Sequence, residues 1–115
     1  STNLIGSLNL LEILKNRKNK KKILFILITS DKCYKNINKT QGYKEDEVLG
    51  GHEPYGASKA SAELLFHSYF QSFFVNSKKI KMATARAGNV IGGGDWSKDR
   101  IIPDLIKKYK TKKKL

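Results

Sequence analysis

A single cysteine, Cys33, is all this chain offers. That excludes an internal disulfide framework and a zinc site built on cysteines, and no metal-ligand set is expected. A reducing cytoplasm fits such usage. Acid is also scarce, with 10 Asp+Glu against 23 Lys+Arg and a formal net charge of +13. Long apolar runs are missing: Ile23–Ile28 falls far short of the roughly 20 residues a membrane helix needs. No secretory signal is visible and no membrane partner is expected. The pattern Gly-x-Gly-x-x-Gly between a strand and a helix does not occur, nor does an internal repeat.

The basic excess has two readings. One is a nucleic-acid or anionic-surface binder. The other is a set of solvated lysines, and lysine greatly outnumbers arginine here. The clusters Lys20–Lys22 and Lys112–Lys114 fall at a connection and at the chain's end, away from any nucleic-acid-binding motif. Nucleic acid is therefore not expected as the main partner.

What is present reads as α/β. Residues 4–15 place apolar side chains three and four apart, an amphipathic helix with Asn3 at or just inside its start. Ile23–Ile28 is apolar without alternation and predicts a strand buried on both faces of a parallel sheet. Residues 33–53 carry no long period and predict a loop, either a substrate wall or a plain surface excursion. Pro54 opens a second helix that runs from Tyr55 to about Phe74. Its aromatic residues suit a core or a subunit contact. Ile80–Arg86 predicts a second strand, Ala87–Trp96 a glycine-rich connection, and Ile101–Ile106 a short helix with Pro103 in its first turn.

Helix, strand, loop, helix, strand, short helix is the order of a βαβ unit. The expected fold is the central part of a Rossmann-type doubly wound parallel sheet. The apolar segments look made to pack against layers that these residues do not supply.

Within that frame, Tyr55 and Lys59 share one helix face. An ammonium beside a phenol stabilises the deprotonated form, which can serve as a base. The spacing alone is weak, because Tyr109 and Lys113 repeat it. Its neighbourhood strengthens it: Ser30, Asp31 and Lys32 stand at the carboxyl end of the first strand, where open parallel sheets hold their ligands.

These segments together resemble the extended short-chain dehydrogenase/reductase family. They are Thr29–Tyr34, Gly50–Tyr55, Ser58–Lys59, Thr84–Trp96 and Asp99–Asp104. Within the family they are most similar to the CDP-glucose branch of the nucleotide-sugar 4,6-dehydratases, and they cover about the middle third of a family member.

The resemblance implies a partial NAD-binding domain over residues 1–115, with the substrate-binding region beginning at about residue 87. It implies NAD as cofactor, CDP-glucose as substrate and a homo-oligomeric parent. The catalytic set would be Ser30, Asp31, Lys32, Tyr55 and Lys59. Tyr55, Lys59 and Asn3 would serve the cofactor, and Asn89 and Arg86 the sugar nucleotide. Lys32 stands where the related dTDP-glucose enzymes carry a glutamate base, so to take that role it must be neutral. Plainer readings remain beside these. Asn3 could be a helix cap, Asp31 a turn cap, Arg86 an ion-pair partner, His52 a loop residue and Cys33 a small buried side chain. Without a glycine-rich pyrophosphate cradle, the 115 residues alone are expected to be inactive.

Overall fold

The computed structural model describes residues 2–19 and 21–111. The elements run α1 (Thr2–Asn16), β1 (Ile23–Ser30), a 3-10 turn (Asp31–Cys33), α2 (Pro54–Tyr69), a π turn (Phe70–Phe74), β2 (Ile80–Ala87) and α3 (Ile101–Lys110). Strands β1 and β2 pair in parallel, from Ile23 opposite Ile80 to Ser30 opposite Ala87. A parallel pair needs a long crossover, and α2 provides it. The expected α/β order is therefore observed.

Only one face of β1 is covered, which corrects the expectation of burial on both. Ile23, Phe25 and Leu27 are partly covered and Thr29 is buried, while Leu24, Ile26 and Ile28 between them are exposed. Helix α2 packs on the covered face and α1 packs against α2. The unbroken apolar run is the signature of a strand with a layer on each side, and these residues supply one layer. The radius of gyration agrees, at 18.0 Å where a compact domain of this length would have roughly 13 Å.

The core joins Leu11 and Leu14 of α1 to Ala60, Ala62 and Phe66 of α2, with Cys33 and Phe74 also buried. Phe66 stacks on Phe25 with ring centroids 6.2 Å apart. Burying such a side chain contributes roughly 1.5–3 kcal/mol. The aromatic cluster of the second helix is thus divided: Phe66 and Phe74 are core, and Phe73 is exposed.

Helix α2 starts where it does because Glu53 caps it. Its carboxylate accepts hydrogen bonds from the amides of Tyr55 (2.7 Å) and Gly56 (2.6 Å), and Pro54, without an N–H, adds no unsatisfied donor. Gly56 lets the first turn sit down on the 3-10 turn: a Cβ there would lie 2.6 Å from the Lys32 carbonyl oxygen. At its far end α2 passes into the π turn, so helical backbone continues to Phe74 as the sequence predicts.

The 34–53 loop has a closed neck. Tyr34 and Leu49 form an antiparallel bridge. The Lys35 amide donates to the Val48 carbonyl (2.9 Å) and the Gly50 amide to the Cys33 carbonyl (2.7 Å). Inside, Tyr43 stacks on Tyr34 at 4.9 Å, and Lys39 donates to the Glu47 carboxylate at 2.6 Å. After β2, Gly94 is the one described glycine with positive φ, at 84°. Helix α3 begins as expected, with Pro103 buried in its first turn, and runs on to Lys110. Among the described residues no helix is long and apolar enough to cross a membrane. Lys20, Lys112, Lys113 and Lys114 lie outside the described residues.

Candidate active site

The site begins where β1 ends. Ser30 is its last residue, and its hydroxyl accepts from the Lys32 amide (3.2 Å) and donates to the Asp31 carboxylate (3.0 Å). Ser30 therefore caps the 3-10 turn, and Asp31 is its acceptor. Ser30 is buried, while Asp31 and Lys32 are exposed. The loop leaving β2 passes close by: a Cβ on Gly88 would lie 3.9 Å from the Asp31 carboxylate.

Because α2 is seated on that turn by Gly56, its first two turns bring Tyr55 and Lys59 to the same end of the sheet. Tyr55 is 49% exposed. The Lys59 ammonium donates a long hydrogen bond to the Ile28 carbonyl (3.4 Å) and stands 5.9 Å from the Tyr55 ring centroid. Asn3 reaches this turn from α1. Its amide donates to the Ser58 hydroxyl (2.9 Å), which donates to the Tyr55 carbonyl (2.7 Å). Asn3 lies within α1 and its side chain goes to α2, so the helix-cap reading is set aside.

Beside the turn opens a cleft of about 610 Å³, lined by Asp31, Lys32, Tyr34, Glu45, His52 and Arg86 among others. Asp31 and Lys32 are the predicted catalytic residues on its wall. Asn89 is exposed on the loop after β2 and does not line the cleft. His52 ties the loop to itself through the Asn36 carbonyl, at 3.0 Å.

Arg86 has more to hold than the sequence suggested. Its Nε and Nη2 donate to the Glu63 carboxylate (2.9 and 2.6 Å), and Nη1 donates to the Glu45 carbonyl (3.1 Å). Its guanidinium carbon lies 4.5 Å from the Tyr34 ring centroid. Glu63 is fully buried and also accepts from the Thr29 hydroxyl. Burial pushes the Glu63 carboxyl up, but hydrogen bonds from Arg86 and Thr29 outweigh it and hold it below the ordinary value. The same pairing raises Arg86 further. Burial raises the Cys33 thiol, which suits an inert side chain.

Glu53, Gly56, Thr29, Tyr34 and Glu63 support the site and were not singled out from the sequence. A carboxylate before a proline at a helix start was a legible cap for Glu53. A lone acid within the apolar face of a helix was the available signal for Glu63. Gly56 carried none, because its role is a contact between segments.

A ribose diol would find suitable partners in the exposed Tyr55 phenol and the partly covered Lys59 ammonium. A pyrophosphate would not find one at the start of α2, because Glu53 already occupies the free amides there.

The chain matches the GDP-mannose 4,6 dehydratase family over residues 1–113. It is 45% identical to a CDP-glucose 4,6-dehydratase of Salmonella typhimurium over 115 residues, covering 96% of this chain and 32% of that one. It is 34% identical to a dTDP-D-glucose 4,6-dehydratase of Dictyostelium discoideum, covering 97% of this chain and 26% of that one. Among solved structures it is similar to the dTDP-glucose 4,6-dehydratase of Bacillus anthracis in complex with NAD. There the TM-score is 0.79 and the identity 27%, over 99% of this chain and 34% of that one. A UDP-glucuronic acid 4-epimerase of Bacillus cereus, in complex with UDP-glucuronic acid and NAD, gives a TM-score of 0.77 at 29% identity. It is matched over 98% of this chain and 32% of that one. The chain thus spans at most about a third of these relatives' length. Its two parallel strands and three helices have the Rossmann-like fold of those neighbours, and the chain belongs to the GDP-mannose 4,6 dehydratase family of short-chain dehydrogenases/reductases.

Proposed function

We propose that this chain carries the catalytic half of an NAD-dependent CDP-glucose 4,6-dehydratase, which converts CDP-glucose to CDP-4-keto-6-deoxyglucose with loss of water. The observation that carries the reading is the 45% identity to the Salmonella CDP-glucose enzyme across 96% of the chain, against 34% for the dTDP-glucose enzyme of Dictyostelium. The clustering of Ser30, Asp31 and Lys32 beside the first turns of α2 supports it.

In this reading Tyr55 Oη takes the proton of the sugar 4-hydroxyl, and Lys59 keeps the phenol ionised. Ser30 Oγ, now turned to Asp31, hydrogen-bonds the same hydroxyl. NAD, when bound, would supply a hydride acceptor for carbon 4, which becomes a ketone, and a donor of that same hydride for carbon 6, which becomes a methyl group. The ketone acidifies the proton on carbon 5; Lys32 Nζ, as the neutral amine, removes it while the Asp31 carboxylic acid protonates the 6-hydroxyl, which leaves as water. Lys59 and Tyr55 hold the nicotinamide ribose, and Asn3 steadies their turn through Ser58. Asn89 faces the sugar nucleotide once it is bound. Exposed Ile5, Leu10 and Ile13 on α1 and Leu64 on α2 are consistent with a homo-oligomeric parent, and the uses assigned to the site are those of a cytoplasmic enzyme.

The test is incubation of the complete protein with CDP-glucose and NAD+ in deuterated water. The reading expects a keto product lighter by one water, with solvent deuterium at carbon 5. A second reading, a 4-epimerase, is favoured by the likeness to the Bacillus cereus enzyme. It expects an epimer of unchanged mass with no deuterium at carbon 5. Salt-sensitive binding of nucleic acid, with none of NAD or CDP-glucose, would point instead to a basic binding module.

A further inference from the structure

Arg86 touches three segments at once, and each contact uses a different part of the guanidinium. On the core side Glu63 takes two donors in a fork. On the loop side the Glu45 carbonyl takes a third donor, and the flat face lies against Tyr34. Tyr34 is the residue at which the 34–49 loop leaves the turn, and Glu45 lies on its return arm. One guanidinium therefore grips both arms of the loop. The fork is rigid in turn, because Glu63 is fully buried and held by Thr29 from β1. A lysine could offer neither the fork nor the flat face.

We propose that Arg86 is a positioning residue for the cleft: clamped by Glu63, it holds the 34–49 loop as a fixed wall opposite Asp31 and Lys32. This rests on the reading that the cleft receives the sugar nucleotide. A wall held by stacking on one face and one carbonyl sets the width of the cleft before substrate arrives, which lowers the ordering cost of binding. Loss of the clamp then acts mainly on substrate binding and much less on the proton transfers at Tyr55, Asp31 and Lys32.

The test uses the complete protein, with Tyr34→Ala and Arg86→Lys. Tyr34→Ala removes the guanidinium stack, and the Tyr43 stack with it, without stranding Glu63, so folding is retained, and Arg86→Lys keeps the Tyr34–Tyr43 pair and separates the two. Hydrogen exchange at the Lys35 and Gly50 amides, which close the loop's neck, reports the wall whether or not the protein is a dehydratase. The expected result in Tyr34→Ala is exchange there about tenfold faster, the scale of one well-formed cation–π contact, with the amides of β1 and β2 unchanged; in Arg86→Lys, exchange at these two amides should accelerate more than that of the strands. Turnover should show KM for the nucleotide-sugar raised about tenfold with kcat within a factor of about two, by the same contact. Unchanged exchange at Lys35 and Gly50, or, in Tyr34→Ala, equal acceleration throughout the strands, overturns the clamp. Faster loop exchange with KM unmoved and kcat reduced overturns its positioning role. If the unaltered protein turns over no nucleotide-sugar, the proposed function fails while the exchange result still decides the clamp.

Discussion

Tyr55 and Lys59 show how side chains four positions apart can form one chemical unit. Tyr55 is half exposed and makes no core contact that its hydroxyl completes, so Tyr55→Phe should fold normally. If it is the proton acceptor, kcat should fall by roughly 10²–10⁴-fold with KM nearly unchanged. A steady-state comparison of the purified pair checks this, and an active phenylalanine variant would remove Tyr55 from the reaction. Lys32 and Asp31 should separate by step. Lys32→Met should abolish deuterium entry at carbon 5. Asp31→Asn should slow loss of the 6-hydroxyl and leave exchange at carbon 5 measurable by mass spectrometry. The positions of Asp31 and Lys32 were legible because they are polar and set at the boundary of an apolar run, and the shared face of Tyr55 and Lys59 from their spacing. Arg86 was legible as important but not in its use, because Glu63 and Tyr34 reach it only through packing.

Among the elements, α2 depends on its first turn. Glu53 gives its carboxylate to two otherwise free amides, and Glu53→Ala should cost about 1 kcal/mol, as a lost helix cap does. A thermal melt reads it directly. Gly56→Ala should be worse, since the added methyl would sit 2.6 Å from the Lys32 carbonyl. Backbone cannot give way there without moving the turn that carries Asp31 and Lys32. We expect that variant to lose stability and turnover together, whereas Glu53→Ala should lose stability first. The helix start was readable from Pro54, and the strands from their apolar runs. The seat of α2 on the 3-10 turn was not, because a glycine's missing side chain matters only once its neighbour is known.

For the molecule as a whole, two features dominate: a buried ion pair and an uncovered sheet face. Glu63 is held below the ordinary carboxylate value of 4.5 by Arg86 and Thr29 against the opposing effect of burial. A depressed folded value means the pair's contribution is fully present above that ordinary range and fades as pH falls through the folded value. Denaturant titrations between neutral and acid pH should therefore show a loss that Glu63→Gln reduces. At neutral pH, removing one partner of such a buried pair should cost on the order of 3–5 kcal/mol, because the other charge is left without compensation. Meanwhile Leu24, Ile26 and Ile28 present an apolar stripe that nothing among the described residues covers. The isolated 115-residue chain should self-associate with rising concentration in sedimentation, and Ile26→Lys should suppress it.

The sequence by itself determined the order of elements, the parallel pair, the placing of Ser30, Asp31 and Lys32 at the carboxyl end of the first strand, and the shared helix face of Tyr55 and Lys59. Those properties follow from local periodicity and from where polar residues interrupt it. Only the tertiary structure decided which face of β1 is covered, that Gly56 seats α2 on the 3-10 turn, and that Arg86 joins Glu63 to the loop. Each of these depends on contacts between residues far apart in sequence, and no spacing rule encodes them. A guanidinium shows its partners only after the chain has folded around it.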